Sequence, residues 1–296
     1  MLPNSEINRL ITLIVNNKQN SEVNIFLCGK SSKDEISLRE SINTTLSKNP
    51  RLSILYPEWL FHNLVEQHNY DLLSLEMKLA NDVDTIILPL EGLGTYSELG
   101  SFVISDITRS KLLVINDKKY IDKKESYIHL GPLRLIKKSK IGEVIYKDFS
   151  NHDDIVHFLE ERFRQIHSLR KLDHDSNNLF TLTYIVGLFI FIYEPITKGY
   201  LEYLLRKYDS NIDKNFIDPT IEFLFKKEHI ESNQNERSEE VFSMTKRGRD
   251  DYILSFEHIG KVKVFYKLRN ISLWTKPKNG YNFSNTKERA RLLDNT

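Results

Sequence analysis

The chain has 296 residues, 40% of them hydrophobic and 28% charged, with a formal net charge of +1. That balance belongs to a soluble, well-buried protein of about two domains, and it excludes both a disordered chain and a globally basic nucleic-acid binder. A single cysteine, Cys28, excludes an internal disulfide and a cysteine-cluster metal site.

The first twenty residues, MLPNSEINRLITLIVNNKQN, lack the basic and apolar regions of a secretion signal, so a cytoplasmic protein is expected. VNIFLCG, Val23 to Gly29, reads as a buried strand ending in a turn. DEISLRESINTTLSKN follows with apolar residues at Ile36, Leu38, Ile42 and Leu46, a helical stripe. RLSILYP is a second strand stopped by Pro57, and LLSLEMKLANDV is helical, with Leu72, Leu75, Leu79 and Val83 on one side. DTIILPL is the third strand, TYSELGSFVISDITR the next helix and KLLVIND the fourth strand. Strands alternating with helices predict a doubly wound α/β domain with a parallel sheet over roughly residues 20–150.

From about Asn151 the pattern changes. DDIVHFLEERFRQIHSLRKL reads as a helix of mixed charge. LFTLTYIVGLFIFIY, Leu179 to Tyr193, is too short for the roughly 20 residues that span a bilayer, and it carries Thr181, Thr183, Tyr184 and Gly187. It is expected to be a buried helix at a domain junction. Two amphipathic helices, a polar loop NQNERSEE and the pattern T-x-x-G-x-x-x-Y then read as a winged helix-turn-helix. Its second helix would carry Lys226, Lys227 and His229, and its wing Arg237. The later stretch KLRNISLWTKPKNGYNF mixes Arg269, Lys276 and Lys278 with aromatics, a combination suited to phosphates and stacked bases. GPLRLIKKSK is a second basic patch.

Ligands of doubly wound sheets bind outside the carboxyl ends of the strands. The loop after the third strand, LEGLGTYSE, is the most informative. Gly92 and Gly94 permit close approach of a ligand to the backbone, Thr95 is a candidate N-cap, and the first-turn N–H groups would suit a phosphate or sugar oxygen. Glu98 stands three residues after Thr95, which also fits a capping box in which Glu98 merely bonds back. In neighbouring segments, Gly29 and Ser31 follow the first strand, Tyr56 and Phe61 flank the second, and Arg39 and Glu76 lie on helices. Ser97 completes the motif helix. The nine histidines show no ligand spacing, so no metal site is expected.

The run D-x-x-I-L followed by G-x-G-T-x-x-E-L-G resembles the nucleoside deoxyribosyltransferase-like superfamily. More distantly, it resembles phosphoribohydrolases with Pro-Gly-Gly-x-Gly-Thr-x-x-Glu. Leu90-Glu91 stands where that second motif has Pro-Gly, and Glu91 would repel a phosphate held there. Over most of its length the chain looks like the effector proteins encoded beside bacterial retron reverse transcriptases, through IFLCG, LYPEWLF, LLSLEMKLANDVDTIIL, SELGSF and GPLRL.

The resemblance implies a nucleoside deoxyribosyltransferase-like catalytic domain over 1–150, a helical connector over 151–195 and a winged-helix-like domain with a basic tail over 196–296. It also implies an anti-phage toxin that cleaves NAD as substrate, without a cofactor. Such an effector would be held inactive by the reverse transcriptase and its multicopy single-stranded DNA, in a higher-order oligomer or filament. Glu98 would act at the anomeric carbon with Glu76 assisting, while Tyr56 and Phe61 would wall in the nicotinamide. A nucleoside or nucleotide N-glycosidase or deoxyribosyltransferase remains the alternative, as does a nucleotide-sensing DNA-binding regulator without turnover.

Overall fold

The computed structural model describes residues 8, 11–12, 15, 19–20, 22–30, 36–68, 70–164, 170–171 and 175–257. Five parallel strands form the central sheet: β1 (Val23–Leu27), β2 (Leu52–Leu55), β3 (Thr85–Pro89), β4 (Leu112–Asp117) and β5 (Glu143–Lys147). Their spatial order is β2-β1-β3-β4-β5. The chain winds outward from β1 to β2 and then crosses back to β3. Winding direction therefore reverses between β1 and β3, and at such a point loops diverge and leave a crevice at the strands' carboxyl ends.

Strand alternation distributes the apolar residues to two faces. Ile25 and Leu27 join Leu38, Ile42 and Leu46 of α1 (Leu38–Leu46), and Ile155, Leu159 and Phe163 of α7 (His152–Arg164) close the same layer. Phe26 and Cys28 face the opposite layer, built from α2 (Pro57–His68), α3 (Leu72–Asp82), α4 (Leu93–Ile104) and α6 (Arg134–Ser139). Two parts of this half differ from the sequence reading. The second strand ends at Leu55, before Tyr56 and Pro57, and Pro57 starts α2, because a proline's fixed φ and missing N–H suit the first helical position. The long motif helix breaks at Ser105, whose hydroxyl accepts from Ile107 N at 3.2 Å and begins α5 (Asp106–Lys111).

The second half is organised by α8 (Leu179–Tyr193), buried along its length apart from Phe180. Its burial is as the sequence predicts, and among the described residues no helix is long and apolar enough to cross a membrane. Around it pack α9 (Lys198–Tyr208), α10 (Ile217–Lys226) and α11 (Lys246–Glu257). An antiparallel sheet of order β6-β8-β7 joins them, formed by β6 (Ile196–Thr197), β7 (Ile230–Gln234) and β8 (Glu240–Met244). Ile11 and Val15, far upstream, are buried in this same core.

The T-x-x-G-x-x-x-Y pattern has a packing cause. Thr245 Oγ1 accepts from Gly248 N at 3.0 Å, while a Cβ on Gly248 would lie 2.2 Å from the His229 carbonyl. Tyr252 inserts against Gly187 of α8 and donates to the Thr183 carbonyl at 3.3 Å.

The two halves share a seam. Phe223 of α10 and Leu179 of α8 belong to the apolar layer beneath α2 and α3. Asp82 of α3 accepts from Leu179 N at 2.7 Å and pairs with Lys78 at 2.8 Å. Asn63 of α2 donates to Glu222 of α10 at 2.7 Å.

Candidate active site at the β1–β3 crest

The sheet ladder continues just past β1 and β3: Cys28 N donates to the Ile87 carbonyl, and Leu90 N to the Ile115 carbonyl, each at 2.9 Å. These bonds fix where the chain leaves the sheet, and so place Gly29 beside Glu91. Gly29 has φ +142°, and a Cβ there would lie 2.8 Å from Arg39 Cβ and 3.1 Å from Glu91 Oε1. Close approach is indeed the reason for a glycine, but what approaches is Arg39 and Glu91 of the same chain. Backbone N–H groups of Lys30 and Leu38 donate to the Glu91 carboxylate, which turns it toward this loop.

The helix α4 starts two residues earlier than the sequence pattern implies. Gly92 is its N-cap, with extended φ of −160°, and Thr95 sits in the first turn. Thr95 Oγ1 accepts from Gly92 N at 3.2 Å and donates to the Gly92 carbonyl at 2.8 Å. Thr95 is therefore not the N-cap, and Glu98 is not the return arm of a capping box; it lies in the second turn with its carboxylate free for other work. Gly92 and Gly94 do not use a positive φ. A Cβ at either would meet nothing within 4 Å, so the start of α4 faces open space. Ser97 is exposed on the same helix.

Glu98 turns inward. The Cys28 thiol donates to its carboxylate, and among the described residues no donor reaches its other oxygen, Oε2, which is buried. Burial raises the carboxyl above its ordinary value; the Cys28 bond and Arg39 act against that rise, and Glu58 adds to it. Cys28, only 2% exposed, is pushed up as a thiol by burial and by Glu98, so it is a donor and not a nucleophile.

Glu76 reaches the same place from α3. Burial first, and the Glu98 and Glu58 charges next, push it up to about 7. Three carboxylates thus converge from α2, α3 and α4, and among the described residues Arg39 is the cation that answers them. Arg39 pairs with Glu58 at 2.8 Å and lies over the Tyr56 ring at 5.2 Å. The Arg39 side chain is 12% exposed, so this is a half-sheltered strut between α1 and α2, not a surface pair.

Several expected residues stand elsewhere. Phe61 is fully buried in the layer beneath the sheet, which leaves no ring face for a ligand. Tyr56 stays half-buried at the crest. Ser31, Arg269, Lys276 and Lys278 lie outside the described residues.

Lys226 and Lys227 turn to the seam and not outward. Lys226 lies over the Trp59 ring at 5.5 Å and 3.8 Å from Glu222, while Lys227 lies 3.4 Å from Glu22. Their helix is covered on both sides, by α8 and by α2, and so cannot enter a nucleic-acid groove as it stands. Arg237 remains exposed between β7 and β8. Glu58 is the site residue that sequence reasoning missed. The available signal was Pro57-Glu58 directly after a strand, a helix start that puts an acid at the crest.

The arrangement is a negatively charged, partly dehydrated crevice with an unsatisfied carboxylate oxygen. Such a group stabilises positive charge developing on a bound reactant far better than a hydrated one would.

Two proteins of Escherichia coli are similar to part of the chain. A protein named as a candidate ribosyltransferase/DNA-binding protein of retron Ec86 is 42% identical over 127 residues, 43% of this chain and 41% of its own. Its counterpart from retron Ec73 is 34% identical over 118 residues, 38% of this chain and 37% of its own. The chain thus aligns with about two fifths of the length of each of these curated relatives. A broader match, over residues 35–232, is to the family described as STM3845 retron effector protein; it spans more than half of the chain and includes Arg39, Glu58, Glu76 and Glu98, and the chain belongs to that family.

Proposed function

We propose that this retron effector cleaves an N-glycosidic bond, with NAD as substrate and Glu98 as the group acting at the ribose anomeric carbon. The observation that carries the reading is the buried Glu98 carboxylate, with no donor on Oε2, next to Glu76 and Glu58 at the β1–β3 crest. The names of the two relatives, which include ribosyl transfer, support the same class of chemistry.

Nicotinamide leaves a pyridinium as a neutral base, so its departure needs no proton. Bond breaking develops positive charge on the ribose, and Glu98 stabilises it or captures C1′ covalently. Water then adds at C1′ and its proton passes to Glu76, whose carboxyl near 7 is matched to that transfer at neutral pH. The balance is NAD and water to nicotinamide, ADP-ribose and a proton. A site with three carboxylates and one arginine also attracts the cationic nicotinamide ring. The open start of α4 is where the rest of the dinucleotide would lie, and Tyr56 supplies the aromatic wall.

One observation favours a second reading. A carboxyl near 7 is half protonated at neutral pH, and cleaving a neutral nucleoside requires just such a donor to the leaving base. The two readings part in one comparison. NAD and a panel of nucleosides and nucleotides are incubated with wild type, Glu98→Gln and Glu76→Gln. NAD cleavage lost in Glu98→Gln supports the proposal. Cleavage confined to nucleosides, and lost also in Glu76→Gln, supports the alternative. Binding without any turnover points to a nucleotide sensor.

In the second half, the order α8, β6, α9, α10, then the β7–β8 hairpin supports the winged-helix reading, with the hairpin as wing. We read residues 196–257 as such a module serving association with retron components, reverse transcriptase and single-stranded DNA among them. Its second helix is used for docking onto α2, not for reading a groove.

A further inference from the structure

The excursion between β4 and β5 concentrates the protein's positive charge. From Lys118 to Lys140 there are eight lysines and arginines and two carboxylates, a net +6 in a chain whose total is +1, so the remainder is net negative. All eight cations are exposed. Lys119 pairs with Asp117 at 2.7 Å, and Lys137 lies over the Tyr146 ring at 5.0 Å. Among the described residues, Lys123, Lys124, Arg134, Lys138 and Lys140 form no ion pair, Lys118 faces Asp148, and the segment's two acids, Asp122 and Glu125, are exposed and too few to balance the cations. Clustered like charges without partners oppose folding, and their cost is recovered when a polyanion binds.

The same segment carries an aromatic platform. Tyr127 is 80% exposed, although its ring lies against Gly131, whose Cβ, if present, would sit 3.6 Å from the ring. The ring is thus held beside the turn at Gly131 and remains open to a stacking partner. Below it Pro132, Leu133 and Ile136 are buried, which anchors the excursion to the sheet domain. Leu130 and Leu135, 52% and 38% exposed, add apolar surface.

We infer that the Lys118–Lys140 excursion is a single-stranded nucleic-acid surface, with its lysines on the phosphates and a base stacked on Tyr127. Exposed aromatic rings beside clustered cations are the features that hold unpaired strands, and every base offers a π-face to them. The covered state of α10 points the same way, since the helix that would enter a duplex groove is not available. The excursion begins at the carboxyl end of β4, the strand beside β3, so it leaves the sheet on the same side as the crest. A strand bound here would lie at the mouth of the β1–β3 crest. This deepens the nucleic-acid side of the reading above and is independent of its glycosidase side, because binding is measured without turnover.

The test is fluorescence anisotropy of the full chain with a labelled 20-nucleotide oligothymidylate, over a range of salt, with a 20-base-pair duplex as comparison. Lys123, Lys124, Lys137 and Lys138 all changed to Glu should weaken single-strand binding at least about tenfold and flatten its salt dependence. Tyr127→Ala should weaken it about tenfold while leaving the salt slope unchanged. Lys48→Glu, at an exposed cation just after α1, should bind as wild type does. Every altered side chain on the excursion is exposed, and circular dichroism confirms that each variant is folded. The inference is overturned if the oligothymidylate does not bind at low salt, if the fourfold variant binds it unchanged, or if Lys48→Glu alone abolishes binding. It is equally overturned if the duplex binds as tightly and Tyr127→Ala has no effect.

Discussion

The Asn63 side chain on α2 donates to Glu222 on α10 at 2.7 Å, joining the helix that carries Glu58 to the helix that carries Lys226. Movement of α10 is therefore felt five residues along α2 from a member of the carboxylate cluster. A double-mutant cycle with Asn63→Ala and Glu222→Ala, read by urea unfolding, should give a coupling of about 0.5–1.5 kcal/mol. A value of zero would mean that this pair adds nothing to a seam held by Phe223, Leu179 and the Asp82–Leu179 bond.

Gly187 has no Cβ because Tyr252 occupies the space. A methyl there would lie 1.9 Å from the tyrosine oxygen and 2.5 Å from Cζ, and both residues are buried. Gly187→Ala should cost about 1–3 kcal/mol in thermal or denaturant unfolding. Adding Tyr252→Leu, which shortens the obstructing side chain, should recover part of the loss.

Glu76 provides a test by pH. Its carboxyl is pushed up from 4.5 to about 7, so between those values the folded chain keeps a proton that the unfolded chain has released. The group's contribution to stability is therefore full below the lower value and falls as pH rises through the upper one. Glu76→Gln should raise Tm at pH 8, and the gain should vanish by pH 4. A lower Tm at pH 8 would show that the charged form is stabilised by the fold and not opposed by it.

Cys28 provides two tests. As a buried thiol raised by burial and by Glu98, it should be inert to a disulfide reagent in the native chain and titrate as one thiol per chain in denaturant. Its bond to Glu98 lowers the glutamate's pKa. Cys28→Ala should therefore move the acid limb of any Glu98-dependent turnover to higher pH, whereas Cys28→Ser, which keeps a donor, should leave it nearly in place.

Much of the first half was legible in the chain. Alternating apolar runs and helical stripes named four of the five parallel strands, and the loop after the third named Glu98. The fifth strand, Glu143–Lys147, is half-exposed, with lysines around it, so it lacks the apolar run that marked the others. The start of α4 was misplaced by two residues because Thr95 is a good N-cap by residue type. Here it caps backward, to Gly92, and only the backbone path after β3 decides that.

What the sequence determined by itself follows from local rules. Side-chain period sets strand and helix, chain order sets a parallel sheet, and an unbroken apolar run at Leu179–Tyr193 must be buried whatever surrounds it. Tertiary structure decided the pairings between distant segments, which no local period encodes. It brought Glu58, Glu76 and Glu98 to one crevice from three helices, and it laid Cys28 against Glu98. It buried Phe61 while leaving Tyr127 open, and it turned Lys226 and Lys227 into a seam. The physical reason is that charge and burial are properties of a place in space. A glutamate on a solvated helix and a glutamate pushed up to about 7 by burial and two neighbouring carboxylates have the same letter, and only packing tells them apart.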